Sequence, residues 1–303
     1  MSNTLFNISK RWRGRVGNTF PPTLSATRPV VFKRLPGLAA VMLGLGLLVQ
    51  ASAAGTTKTV FFYNPESSID NFAALKTEFD SYLSGLGEYN FQPFSERSTF
   101  ESMLSDKAQG VYLLSSWHYV QLNAKTPLAA VLVGVVKGEL QQRKVLISKD
   151  LADVSALSGA TIAGSGSEDY LRSQLQQMLG SKYAGLSSKF KLLTVPKDID
   201  ALMAVGFGVA TAAIASESSF NKLAMINPKQ HAQLKTLASG EKSFLLIAAV
   251  VKPQQNDETP LLKAIEGMGQ QPSGEKKLKM LGLDGWKRID TLDASLSKQL
   301  SAP

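Results

Sequence analysis

The sequence contains no cysteine. That excludes a disulfide framework, a thiolate metal site and a cysteine nucleophile. It also excludes a lipid-anchored export form, which needs a cysteine at the cleavage point. Histidine is nearly absent: His118 and His231 are the two in the chain, and they lie far apart in sequence. A histidine-rich metal centre is therefore excluded, and no Ser-His-Asp spacing is legible. After residue 53 no apolar run is long enough for a transmembrane helix, which needs roughly 20 residues. Residues 1–53 lack acidic side chains altogether.

That last absence reshapes the charge. The net charge is +9, from 33 Lys and Arg against 24 Asp and Glu. Seven of the basic residues (Lys10, Arg11, Arg13, Arg15, Arg28, Lys33, Arg34) fall in the first 53 positions. Removing them leaves 26 against 24, so the remainder is nearly neutral. A nucleic-acid partner loses its electrostatic basis. Residues 1–53 read as a secretory signal peptide: a basic segment, an apolar stretch over residues 38–49, then Ala51-Ser52-Ala53 as a small-residue cleavage site. The expectation is cleavage near Ala53 and export to the periplasm. An uncleaved membrane anchor is the weaker reading, because the apolar stretch is too short to span a bilayer.

The rest alternates strand and helix patterns. Thr59 to Tyr63 is apolar and β-rich. A helix follows with Phe72, Leu75, Phe79, Tyr82 and Leu83 on one face. Tyr89 to Phe94 reads as a strand, and Ser98-Thr99-Phe100-Glu101 as a capping box opening a short helix. Gly110 to Leu114 is a third strand. Two strand-like runs then follow in succession, 128–137 and 143–147, breaking the rhythm. A first crossing between lobes is expected there, and a return crossing at 244–251. The fold class expected is α/β, with two lobes of mostly parallel sheet flanked by helices and two interlobe crossings. The boundaries are 1–53 for the signal, 54–138 plus 244–303 for a discontinuous first lobe, and 139–243 for the second.

In such sheets ligands sit beyond the carboxyl ends of the strands. Four loops qualify, after Tyr63, Leu114, Ala163 and Ala215. They offer Tyr63, Asn64 and Ser67; Ser115, Ser116, Trp117, His118 and Tyr119; Ser165, Gly166 and Ser167; and Ser216 with Glu217. The third loop leads from a buried strand into a helix, and a Gly/Ser loop at a helix N-terminus suits an anion. Its Glu168 and Asp169 already place two carboxylates there, and none of the four loops carries Arg or Lys. Gly164-x-Gly166 is no dinucleotide fingerprint, since Asp169 stands where the third glycine belongs. The bland readings stand beside these. Asn64 and Ser67 can merely end a strand and cap a helix. Trp117 and Tyr119 can equally be core or cleft. His118 reads as a polar cleft or rim residue rather than a general base.

The order of features resembles the periplasmic solute-binding proteins of ABC transporters, in their phosphate/phosphonate-binding branch with the type II periplasmic-binding-protein fold. The resemblance rests on residues 157–163 leading into the Ser-rich loop, on 198–205, on 209–217, on Ile226-Asn227-Pro228 and on 280–286. It implies two lobes that close on a solute like a hinge. It places an oxyanion on Ser165 to Ser167, a ligand amino group near Glu217, and Trp117 and Tyr119 against the solute. It implies a small polar or anionic solute, an ABC permease in the inner membrane as partner, a monomer, no cofactor, no metal and no catalytic residue. Tyr63, Asn64, Ser115, Ser116, Trp117, His118, Ser165, Gly166, Ser167 and Glu217 are the candidate contacts. Two other readings remain: an accessory or sensor protein of this fold that has lost transport, and a hydrolase-like enzyme using His118 and Glu217.

Overall fold

In the computed structural model, the described residues are 57–292, apart from 67, 68, 70, 107 and 188, together with 296. They belong to one compact unit. Ser67 and the signal segment lie outside the described residues.

The chain opens with β1 (Lys58–Tyr63), α1 (Phe72–Leu83), β2 (Tyr89–Pro93), α2 (Arg97–Ser105), β3 (Gly110–Ser115), α3 (Ser116–Asn123) and β4 (Leu128–Val135). It continues through β5 (Gln141–Ser148), β6 (Thr161–Ser165), α4 (Glu168–Leu179), α5 (Ala184–Ser187), β7 (Lys191–Val195) and α6 (Asp198–Gly206). Then come β8 (Ala212–Ser216), α7 (Glu217–Ile226), α8 (Pro228–Gln233) and β9 (Lys235–Phe244). The last elements are β10 (Leu246–Val251), α9 (Thr259–Glu266), α10 (Pro272–Met280) and β11 (Gly285–Arg288).

The strands form two sheets, ordered β11-β4-β10-β3-β1-β2 and β7-β6-β8-β5-β9. Each has a parallel β-α-β centre: β2-β1-β3 in the first and β7-β6-β8 in the second. The antiparallel pairs come from strands next to the passages between sheets, β4 and β10 in the first sheet and β5 and β9 in the second. The parallel part is thus smaller than the βα rhythm suggests, because a strand arriving from the other sheet joins against the run of its neighbours. One passage lies between β4 and β5, where Lys137 and Gly138 take φ of 52° and 81°. The other is Leu245, between β9 and β10.

The apolar face read from the sequence packs as the helical period requires. Leu75, Phe79, Tyr82 and Leu83 of α1 are buried against the first sheet. The Phe79 ring stacks on Phe91 at 4.3 Å between centroids. Each such buried side chain contributes roughly 1.5–3 kcal/mol relative to exposure. The capping box does not form. α2 begins at Arg97, one residue before Ser98, with no side-chain cap. Glu101 is turned instead to Arg97 Nε at 2.6 Å and His118 Nε2 at 2.9 Å.

Three strand-to-helix junctions share one device. Ser115, Ser167 and Ser216 each accept a backbone N–H from the first turn of α3, α4 and α7. β3 and β8 therefore pass straight into helix, with no loop after either strand. That local rule decides which side chains face the cleft.

Candidate functional site

Between the two sheets lies a cavity of about 290 Å³. Asn64, Glu66 and Ser115 line it from the first sheet's side, and Gln142, Lys144, Ser165 and Asp198 from the second's. Gln142 and Lys144 are two apart on β5, so they share one face of the strand. Lys144 is 5% exposed. Its Nζ is 3.1 Å from both Oδ1 and Oδ2 of Asp198.

Asp198 opens α6, directly after the turn that follows β7. Its carboxylate also accepts the Ser165 hydroxyl at 2.5 Å and the Ser216 backbone N–H at 2.7 Å. Burial by itself raises the pKa of this carboxyl. The Lys144 ammonium and the bonds from Ser165 and Ser216 outweigh burial and hold it below the ordinary value. The Asp198 carboxylate thus stays ionised and ties β5, β6, β8 and α6 to one point.

Glu66 enters the same cavity from the corner after β1. Its backbone N–H donates to Asn64 Oδ1 at 3.0 Å, an Asx turn that shapes the corner. Gln142 Nε2 donates to Glu66 Oε2 at 2.7 Å. The hydroxyls of Tyr170 and Ser115 are near enough to this carboxylate to favour its charged form. Burial raises the Glu66 pKa, and Asp198 adds to the rise; Lys144 and the two hydroxyls pull against it without overcoming it.

Pro65 completes the contact. The Ser167 backbone N–H donates to the Pro65 carbonyl at 2.7 Å. Gly166 has φ of 108°, and a Cβ there would lie 2.5 Å from that same oxygen. Only glycine lets the two backbones meet. The N-terminus of α4 is therefore engaged by a carbonyl of the chain itself.

Several expected contacts lie elsewhere. Tyr63 is buried in the first sheet's core, with its ring 5.3 Å from His118. Ser116 donates its hydroxyl to the Phe244 carbonyl at 2.7 Å. Tyr119 is core, its hydroxyl donating to Leu128 O at 3.3 Å. His118 is fully buried beside Glu101. Burial lowers its pKa, and Glu101 opposes the shift. Trp117 faces α4 rather than the cavity: its Nε1 donates to Ser173 Oγ at 2.8 Å and its ring meets Tyr170 edge-on at 5.6 Å. Glu217 is exposed on the first turn of α7 and lines a separate groove with Lys137 and Arg143. These positions follow from the helix starts, because Ser115 and Ser216 end their strands as caps and the residues beyond them turn away with the helix. Asn64, Ser115 and Ser165 line the cavity, whereas Gly166 and Ser167 meet Pro65.

The carboxylates of α4 do not line the cavity. Glu168 pairs with Arg172 at 2.5 Å, and Asp169 lies 3.7 Å from Arg97 with 75% of its side chain exposed. The cation that the four loops lack comes from a strand, as Lys144. Glu66, Gln142, Lys144, Tyr170 and Asp198 were not singled out by sequence. The one available signal was the spacing of Gln142 and Lys144, two polar residues at strand period before an apolar run. Among the described residues, no group of three or more metal-ligating side chains converges, and no helix is long and apolar enough to cross a membrane.

Two α/β lobes joined by two passages, with a polar cavity between them, define the type II periplasmic-binding-protein class. Residues 61–294 match the family described as "ABC transporter, phosphonate, periplasmic substrate-binding protein", and the chain belongs to that family. Solved structures with the same fold include XAC2383 from Xanthomonas citri bound to chloride, with a TM-score of 0.59 at 11% identity, covering 80% of this chain and 94% of that one. A binding-protein component of an ABC phosphonate transporter from Pseudomonas aeruginosa gives 0.56 at 12% identity, over 81% and 86% of the two chains. PhnD1 from Prochlorococcus marinus, in complex with methylphosphonate, gives 0.56 at 13% identity, over 81% and 96%. No curated protein matches the sequence.

Proposed function

We propose that this chain is a periplasmic receptor whose interlobe cavity takes a small phosphonate- or phosphate-like oxyanion and presents it to an inner-membrane ABC permease. The carrying observation is Lys144: a buried cation in a small cavity between two lobes, flanked by the hydroxyls of Ser115 and Ser165. The ammonium has three protons and can donate to an oxyanion as well as to Asp198, and hydroxyl donors complete that oxyanion's shell. The cavity is at the lower end of small-molecule sites, which suits a solute of a few heavy atoms. PhnD1 of this fold was solved with methylphosphonate.

In this reading residues 54–138 and 244–303 form the lobe that carries Asn64 and Ser115, and residues 139–243 the lobe that carries Lys144 and Ser165. The signal segment is removed near Ala53. The receptor acts as a monomer, without cofactor and without catalysis. His118 and Glu217 lie apart, one buried beside Glu101 and the other exposed on α7, which disfavours their use as a hydrolytic pair. Native mass spectrometry of the chain purified from a periplasm tests the proposal. A retained small anion that methylphosphonate displaces supports it. A bound cation or neutral solute that methylphosphonate leaves in place overturns it.

A further inference from the structure

The oxyanion donors of the cavity are already in use, and the chain itself uses them. Gln142 Nε2 donates to Glu66 at 2.7 Å, and the Ser167 N–H donates to the Pro65 carbonyl at 2.7 Å. The hydroxyls of Ser115 and Tyr170 are near enough to the same Glu66 carboxylate to favour its charged form. Tyr170 is 1% exposed and Ser115 is 3% exposed, so neither hydroxyl has ready access to solvent. The donors come from β3, β5 and α4, which belong to both lobes. The Glu66 carboxylate and the Pro65 carbonyl stand among these donors as the head group of a solute would. Two local features hold them there: the Asx turn on Asn64 and the missing Cβ of Gly166.

The charges facing Glu66 are few. Lys144 on β5 is the buried cation, shared with Asp198 at the start of α6, and the exposed Lys197 also lines the cavity. Tyr170 on α4 is the remaining titratable neighbour. Asp198 already holds Lys144, so an anion entering beside Glu66 meets a shared cation rather than a free one.

We propose that Glu66 is a tethered competitor: its carboxylate occupies the oxyanion position, and an anionic solute enters only by displacing it. The proposal rests on the reading of this cavity as the solute site. A tethered group competes at a high effective concentration, so it lowers the apparent affinity for anions without touching the solute. It also lets the two lobes meet with no solute between them, since Glu66 and Pro65 themselves supply the contacts across the cleft. Glu66 then sets the threshold of affinity below which an anion is refused.

Calorimetric titration of the mature chain with methylphosphonate tests this. Glu66→Ala and Glu66→Gln are each expected to bind it at least tenfold more tightly than the wild type. Glu66→Gln keeps the size of the side chain and guards against a folding defect in Glu66→Ala. Affinity unchanged or weakened in both variants overturns the proposal. Adding Lys144→Met with Asp198→Asn to the Glu66→Gln chain separates this from failure of the site itself. If Glu66→Gln alone changes nothing but the added pair weakens binding, the competitor is refuted and the site stands. If neither change alters binding, the solute sits elsewhere and both readings fall.

Discussion

The Lys144 ammonium lies 3.1 Å from each carboxylate oxygen of Asp198, and the two side chains are only 6% and 11% exposed. A buried pair of this kind contributes little net stability, but its rupture leaves an uncompensated charge. Lys144→Met is therefore expected to destabilise the chain by about 3–5 kcal/mol. Lys144→Met with Asp198→Asn should recover much of that loss, because no lone charge remains. Urea denaturation of the two variants checks the order. Equal destabilisation in both would remove the pair from the account.

Glu66 gives a pH dependence whose sign is fixed. Its carboxyl is raised above the ordinary 4.5 in the folded state, chiefly by burial. The folded chain thus holds a proton there that the unfolded chain releases. The stabilisation is present in full below pH 4.5 and is lost as pH rises through the folded value. Glu66→Gln removes this contribution. The difference in melting temperature between Glu66→Gln and the wild type should grow in the variant's favour as pH rises above 4.5. A difference that stays flat across that range would show that Glu66 is not held as described.

Gly166→Ala would place a methyl 2.5 Å from the Pro65 carbonyl, at a backbone φ of 108° that side chains other than glycine rarely adopt. The expected cost is on the order of 1–3 kcal/mol. The Ser167 N–H would lose its partner in the other lobe. Hydrogen exchange at the Ser167 amide should then accelerate relative to the wild type, with the interior of β6 unchanged. A protected Ser167 amide in Gly166→Ala would contradict the contact.

Ser165→Ala removes a hydroxyl that reaches Asp198 inside the cavity, whereas Glu217→Ala alters an exposed side chain on α7. Ser165→Ala should weaken methylphosphonate binding several-fold. Glu217→Ala should leave binding unaltered and shift stability by less than about 0.5 kcal/mol. Calorimetry distinguishes the two positions directly.

Much of the fold is written in local pattern, and the site is not. The face of α1 is legible because its apolar residues recur at helical period and pack on one sheet. β9 escapes the same reading: its ten residues, KTLASGEKSF, form an edge strand in which one residue is buried, so no alternation marks it. The serines at strand ends were ambiguous for a physical reason. A serine can close a strand, cap a helix or face a ligand, and Ser115 caps α3 while also lining the cavity. Lys144 looks like a solvent-facing strand residue until Asp198, 54 positions away, is brought beside it. Glu66 sits in an Asn-Pro-Glu turn whose chemistry announces a corner and says nothing of what the corner enters.

The central claim is that the cation of this cleft holds an oxyanion. The most direct measurement is a methylphosphonate titration of the Lys144→Met/Asp198→Asn chain beside the wild type, by calorimetry at one pH and ionic strength. This double variant removes both charges together and so spares the fold. The wild type should show one site per chain, and the variant at least a tenfold loss of affinity. Equal affinity in the two chains would contradict it.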